Sequence, residues 1–314
     1  MRRILFTATL CVLAACDIEY DFKGGTPEPR VTVNALISPQ NNFSITLFWS
    51  GVYNAKNPEF EMVYEASVRL FEDGREVLAF KTAAKSDGDD IIYAASAPGN
   101  SYPFRGKAGS RYRLEIDVPD YGRVAAETVI PDAPSVELHT FKESGWYRHF
   151  ELSKLETGRY TSAIWIRGFR RYNYENNEYY DHIERHGEYY TSSPFVDMVN
   201  GVNDAYEAED KGSAIDFEGF LRIPPENFAD VVPLRFSAFG AVRSGYNESY
   251  EHTIRIFAAS DAYDRYYRSL YKYETNTGWN AEENPFVEQI SVYSNIENGL
   301  GIFAGYNLKE ITGL

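Results

Sequence analysis

Between residues 30 and 130 the chain alternates apolar and polar residues with a period of two, a pattern that restricts it to half-buried β-strands. Val31, Val33, Ala35 and Ile37 occupy every second position, as do Ile45, Leu47 and Trp49. On a strand such residues share one face, whereas a helix would scatter them around its axis. Ala66, Val68 and Leu70 continue the period and lead into Glu72-Asp73-Gly74-Arg75. An Asp-Gly pair between alternating segments predicts a tight hairpin, because glycine accepts the positive φ that the turn requires. Residues 91–97 read as another strand, Tyr112, Leu114, Ile116 and Val118 alternate cleanly, and 123–130 closes the set. About seven short strands in about 100 residues fit an immunoglobulin-like β-sandwich spanning 30–131.

Pro131 and Pro134 interrupt the pattern and mark the expected domain boundary. Beyond them, 132–314 reads as a second β-rich domain, richer in tyrosine, with strands expected at 163–166, 215–223, 234–239 and 252–257. One helix is expected near 260–273. Ser260 can accept a hydrogen bond from the exposed first-turn amides, and Asp261 and Asp264 favour the positive end of the helix. Tyr263, Tyr266, Tyr267 and Leu270 recur at spacings of three and four and so form one packing face. The fold class that follows is mostly β: a sandwich, then a β domain with one short helix.

The N-terminus has a different character. Arg2 and Arg3 precede an uncharged apolar stretch, 4–15, which is too short to cross a bilayer as a helix because that takes about 20 residues. Charge, apolar run and small closing residues together read as a signal peptide over 1–15. The ending Leu13-Ala14-Ala15-Cys16 resembles the bacterial lipobox, in which the cysteine thiol takes a diacylglycerol and cleavage falls just before it. Each buried methylene of an acyl chain contributes about 0.8 kcal/mol, and stable anchoring needs more than one chain. Cys16 is therefore expected to hold the protein on a membrane. Residues 16–29 follow as a tether, in which Gly24, Gly25, Pro27 and Pro29 deny regular structure. Acidic Asp17, Glu19 and Asp21 after the lipid site resemble the acidic runs that in Bacteroidota accompany export of lipoproteins to the outer face of the outer membrane. That export is the expectation here, and the run also reads as a solvated linker.

Charge and cysteine content narrow the function further. Without Arg2 and Arg3 the 31 basic residues fall to 29 against 46 acidic ones, a formal charge of −17. So acidic a chain lacks the clustered basic surface that nucleic-acid phosphates require. Loss of Cys11 and acylation of Cys16 leave no free thiol for a nucleophile, a thiolate metal site or a disulfide. No nucleophile elbow, phosphate-binding loop or dinucleotide fingerprint is present. Of the five histidines, His182 and His186 are four apart, but Ile183 stands where a helical zinc protease needs glutamate. On a strand they would lie about 13 Å apart, too far for one metal. Asp87-Gly88-Asp89-Asp90 offers too few oxygens for calcium and reads as a turn. No catalytic residue, metal or cofactor is expected, and the chain reads as a non-enzyme.

Aromatic residues carry the remaining signal. Phe, Trp and Tyr make up 16% of the chain and tyrosine alone occurs 25 times. Tyr172, Tyr174, Tyr179, Tyr180, Tyr189 and Tyr190 cluster among Arg, Asn and Glu. Tyrosine combines a flat apolar face with a polar tip, which suits a partner, peptide or sugar platform, but it also favours strands for packing alone. Both readings of the cluster stay open, and these six are the candidate ligand- or partner-binding residues.

The closing segment Val292-Tyr293-Ser294-Asn295-Ile296-Glu297-Asn298-Gly299-Leu300-Gly301-Ile302-Phe303, preceded by Asn284-Pro285-Phe286, resembles the signature of the Bacteroidota lipoproteins known as domain of unknown function 4249. Val31 to Ile37, Ala66 to Leu70 with Asp73-Gly74, Tyr112-Arg113-Leu114 and Ala126 to Pro131 resemble other blocks of that family. Gly299, Gly301 and Gly305 among apolar residues suggest a strand that another backbone approaches closely. The resemblance implies an outer-membrane lipoprotein encoded beside TonB-dependent receptors, with no established activity. The expected function is therefore a surface-exposed accessory subunit of a TonB-dependent nutrient importer. Its expected partners are the membrane through the lipid, the receptor, and a small nutrient, peptide or glycan. Two alternatives stay open: a structural or assembly lipoprotein, and a hydrolase with an unfamiliar carboxylate site.

Overall fold

The computed structural model describes residues 28–50, 61–82, 101–144, 147–174, 184–186, 189–199, 220–239, 248–277 and 291–314. Cys16, Tyr179, Tyr180, His182, the acidic turn at 87–90, the expected strand at 91–97, residues 215–219 and 284–286 lie outside them. The first half supplies β1 (Val31–Ile37), β2 (Phe43–Trp49), β3 (Ser67–Glu72), β4 (Arg75–Lys81), β5 (Ser101–Tyr102), β6 (Arg111–Val118) and β7 (Gly122–Val129). Then come β8 (Ser135–Ser144), β9 (Tyr147–Glu156), β10 (Ala163–Tyr174), β11 (Glu184–His186), β12 (Tyr189–Tyr190) and β13 (Asp197–Val199). The chain continues with β14 (Phe220–Ile223), β15 (Leu234–Phe239), β16 (Glu248–Ala259), α1 (Asp261–Thr277) and β17 (Leu300–Ile311). The protein is mostly β with one α-helix among the described residues, as the alternation predicts.

Local chemistry explains the elements that were expected. In β1 the alternation becomes burial: Val31, Val33, Ala35 and Ile37 are enclosed while the residues between them face outward or sit half-buried. Asp73 and Gly74 both take positive φ, +48° and +85°, the geometry of the tight hairpin that joins β3 to β4. The helix begins where its cap requires, with the Tyr263 amide donating to Ser260 Oγ at 3.3 Å. Its packing face is Tyr263, Tyr266, Tyr267 and Tyr271, with Tyr271 rather than Leu270 completing the buried row.

The strands make three sheets. A central sheet runs β13-β14-β10-β16-β17-β1-β2-β5, with β11 also paired to β10, and two four-stranded sheets run β4-β3-β6-β7 and β12-β15-β9-β8. Both small sheets cover the same face of the central one. Phe303 packs into the core under β3, β6 and β7. Asn307, four residues later on the same face of β17, is cross-strand partner to Ala258, which packs against Phe150 and Phe236 of β9 and β15. On the opposite face Ile302, Ala304 and Tyr306 meet α1.

The C-terminal strand therefore belongs to both halves. Its first part pairs in parallel with β1, from Thr32 with Leu300 to Ile37 with Gly305, and its second part pairs antiparallel with β16, from Ile254 with Ile311 to Ala259 with Tyr306. Two glycines make this possible. A Cβ on Gly301, whose φ is +95°, would lie 2.0 Å from the Val33 carbonyl oxygen, and one on Gly305 would lie 2.4 Å from that of Val129. The glycine-rich signature is thus a place where backbones meet with no room for a side chain.

Candidate functional site

Where β17 passes from one half to the other, side chains from distant parts of the chain close the seam. Asn307 is buried; its amide nitrogen donates to the Pro131 carbonyl at 2.9 Å, and its Oδ1 accepts from Gln40 Nε2 at 2.7 Å. Gln40 in turn accepts from the Leu308 amide, and Asn41 donates to the Tyr306 hydroxyl. A buried carboxamide costs stability unless its donors and acceptors are matched, and here the contacts join residues more than 170 positions apart.

Beside this seam lies an open groove of about 360 Å³, bounded by the start of β6, the end of β7, the segment 160–162, the start of α1 and the segment 293–295. Its floor is a fixed lattice. The Gly305 amide donates to Thr128 Oγ1 at 2.9 Å, and the Ser260 amide donates to the Gly305 carbonyl at 3.1 Å. Asn295 braces the wall, accepting from the Phe303 amide and donating to the Phe303 and Glu127 carbonyls. These polar groups shape the site and are already engaged.

The rim carries the groups that face solvent. Arg111 and Glu127 form a loose pair at 4.0 Å, and Arg113 holds Glu127 at 3.0 Å. Arg265 lies 4.0 Å above the Tyr293 ring and pairs with Asp261 of the first helical turn at 3.5 Å. Tyr160 is 51% exposed, one of two large hydrophobic side chains so exposed among the described residues. Its φ is +64°, a conformation that tyrosine adopts only when its surroundings impose it. Those surroundings are visible. Asp132 accepts from the Arg159 amide at 3.1 Å and from Arg159 Nε at 3.0 Å, and the Asp132 amide donates to the Arg159 carbonyl. The Asp132 carboxyl pKa is lowered, chiefly by that hydrogen bond from Arg159.

Under α1 a second polar cluster is enclosed in aromatic rings. Arg222 donates through Nε and Nη2 to the two oxygens of Asp264, at 2.6 and 2.8 Å, and through Nη1 to Asp197 at 2.5 Å. Trp165 Nε1 adds a third donor to Asp264 at 2.9 Å. Burial opposes the charge on Arg222, but the hydrogen bonds to Asp264 and Asp197 outweigh it and its pKa is raised. Tyr263 and Tyr267 pack around the cluster, and burial pushes both phenols well above their ordinary range. With three fixed donors on its two oxygens, the Asp264 carboxyl has most of its hydrogen-bonding capacity engaged within the fold. Asp264 lies in the first turn of α1, as expected, and has a second job there: it ties α1 to β10 and β14.

Of the six candidate tyrosines, Tyr172 and Tyr174 lie at the end of β10, where their backbones pair with Tyr250 and Glu248 of β16. Tyr189 and Tyr190 form β12 on a different sheet, paired with Ala238 and Ser237 of β15. The groove draws on Tyr160 and Tyr293; Tyr160 belongs to no cluster or periodic run, and Tyr293 stands in the sequence only as part of the closing signature. The Gly158-Arg159-Tyr160 step after β9 was the available signal, a glycine beside a charged residue at a turn. Among the described residues, no group of three or more His, Cys, Asp or Glu side chains is placed to hold a metal. No described helix is long and apolar enough to cross a membrane.

A family model described as "Domain of unknown function (DUF4249)" matches residues 17–312, nearly the whole chain. No curated protein matches.

Proposed function

From the premise that the chain belongs to the DUF4249 family, we propose that it is a surface-exposed outer-membrane lipoprotein, an accessory subunit that binds ligand or partner for a TonB-dependent nutrient importer. The lipobox ending at Cys16 and the acidic residues after it supply the anchor and the outward export. The observation that carries the reading is the polarity of the fold relative to that anchor. The tether enters β1 at Arg30, whose guanidinium donates to the Gly299 carbonyl. The groove floor is built on Gly305, at the other end of the same parallel pairing. Five residues of strand separate the two ends, roughly 17 Å. The groove and the rim of Tyr160 thus lie at the end of the pairing opposite the entry of the tether, free to face away from the lipid.

The first half, as an immunoglobulin-like spacer, would set that distance. Binding suits the groove better than hydrolysis, because its own carboxylates, Glu127 and Asp261, are already paired with Arg113 and Arg265. The test is extraction of the tagged, lipidated chain from membranes in mild detergent. The expected result is copurification with a β-barrel receptor; a clean monomer would count against the reading.

A further inference from the structure

We propose that the groove beside α1 binds a short segment of a neutral saccharide, with the Tyr160 ring as its stacking platform. This rests on the ligand-binding reading above and names the class of ligand. The first argument is the platform. Tyr160 is half-exposed at the groove, in a left-handed conformation imposed by the Asp132–Arg159 clamp. Gly158 is pressed so closely to Asp132 that a Cβ there would lie 2.3 Å from the aspartate Cβ. At the next residue in the chain, the Thr161 hydroxyl is buried without a hydrogen-bond partner among the described residues. A segment that keeps both a strained tyrosine and an unpaired hydroxyl does so at a cost in stability, a pattern that clusters at binding sites. The clamp fixes the backbone that carries the ring, and the Arg159 guanidinium lies 5.7 Å over the ring's centre, so less freedom is lost when a ligand binds there.

The second argument is charge. A helix amino end ordinarily attracts anions. Here Asp261 stands in the first turn, Glu127 faces it across the groove, and the Tyr263 amide is already occupied by Ser260 Oγ. Arg111 and the helix end oppose a cation in the same way. What remains is an uncharged ligand that offers a face of C–H groups to an aromatic ring and hydroxyls to Arg111, Glu127 and Ser162, which describes a sugar. At about 360 Å³ the groove is near the lower end of the range for small-ligand sites, roughly 300–1,000 Å³, and suits a short segment of a chain.

The test uses the lipidated full chain in detergent, titrated calorimetrically with cellohexaose, maltohexaose, xylohexaose and mannohexaose, and with penta-alanine as a peptide probe. At least one hexasaccharide should bind, Tyr160→Ala should weaken it by about tenfold or more, Tyr160→Phe should retain it, and Phe141→Ala, at the other exposed aromatic, should leave it unchanged. No saccharide binding at millimolar concentration, binding of penta-alanine alone, or binding indifferent to Tyr160→Ala would overturn the proposal. If saccharides fail while the chain still copurifies with a receptor, the ligand class falls and the accessory reading stands. If saccharides bind but no receptor copurifies, the ligand class stands and the receptor reading falls.

Discussion

The core under β3, β6 and β7 and the layer under α1 solve the same problem with different residues. The first is mainly aliphatic: Val33, Ile45, Leu47, Leu70, Leu114 and Ile116 interlock between two sheets, with Phe43 and Phe303 edge to face. The second is mainly aromatic: Trp165, Phe220, Tyr263, Tyr267 and Tyr271 meet at edge-on, tilted and stacked angles around the Arg222–Asp264 pair. Aliphatic packing is non-directional and tolerates repacking, whereas rings with polar tips and a buried ion pair demand particular geometries. The difference teaches that the tyrosine surplus is partly structural. Some of it builds a layer whose polar atoms must be matched, and the helix that carries it also forms one wall of the groove.

Substitutions can break this contrast in order of expected effect. Arg222→Met should be the most damaging, about 3–5 kcal/mol, because it strands the Asp264 carboxylate in the aromatic layer. The double variant Arg222→Met with Asp264→Leu should recover much of that loss in chemical denaturation. If it recovers none, the pair has a role beyond charge matching. Leu114→Ala should cost roughly 3 kcal/mol through the cavity left between the sheets, with no comparable rescue by a second change nearby. Asn307→Leu, at the seam, should cost about 1–3 kcal/mol by removing the partner of the Pro131 carbonyl and of Gln40 Nε2. A loss below about 0.5 kcal/mol, measured by the denaturation midpoint, would mean that β17 alone joins the halves.

Alkaline pH should act on both regions. Burial raises the phenol of Tyr102 to about 12 in the sandwich, and raises Tyr263 and Tyr267 well above their ordinary value under the helix. A raised phenol pKa means that the folded state keeps protons the unfolded chain would release. The stabilisation is complete below pH 10 and is lost as pH rises through the folded values. Tyr263→Phe should therefore flatten the decline in melting temperature above pH 10; an unchanged slope would show that this phenol does not drive it.

The strands of the first half were legible because a period of two survives in plain sequence, and the Asp73-Gly74 turn because only certain residues accept its φ values. The helix and its Ser260 cap were legible for the same local reasons. The partner of Asp264 was not, since Arg222 and Trp165 stand 42 and 99 residues away and nothing local marks them. The signature glycines announced a close backbone approach, but not that Val33 on one side and Val129 on another would supply it. The groove was hidden most completely. It is assembled from five segments brought together across the seam where β17 pairs with both β1 and β16.

That shared strand is the centre of the account, because a groove at the seam exists only while the halves remain joined. Hydrogen exchange of the native chain under increasing denaturant tests it directly. The slowest amides of β1, β6, β16 and β17 should converge on one opening free energy, with Asn307→Leu lowering all of them together. Amides of β1 and β6 that open at a distinctly lower free energy than those of β16, unchanged by Asn307→Leu, would contradict the account.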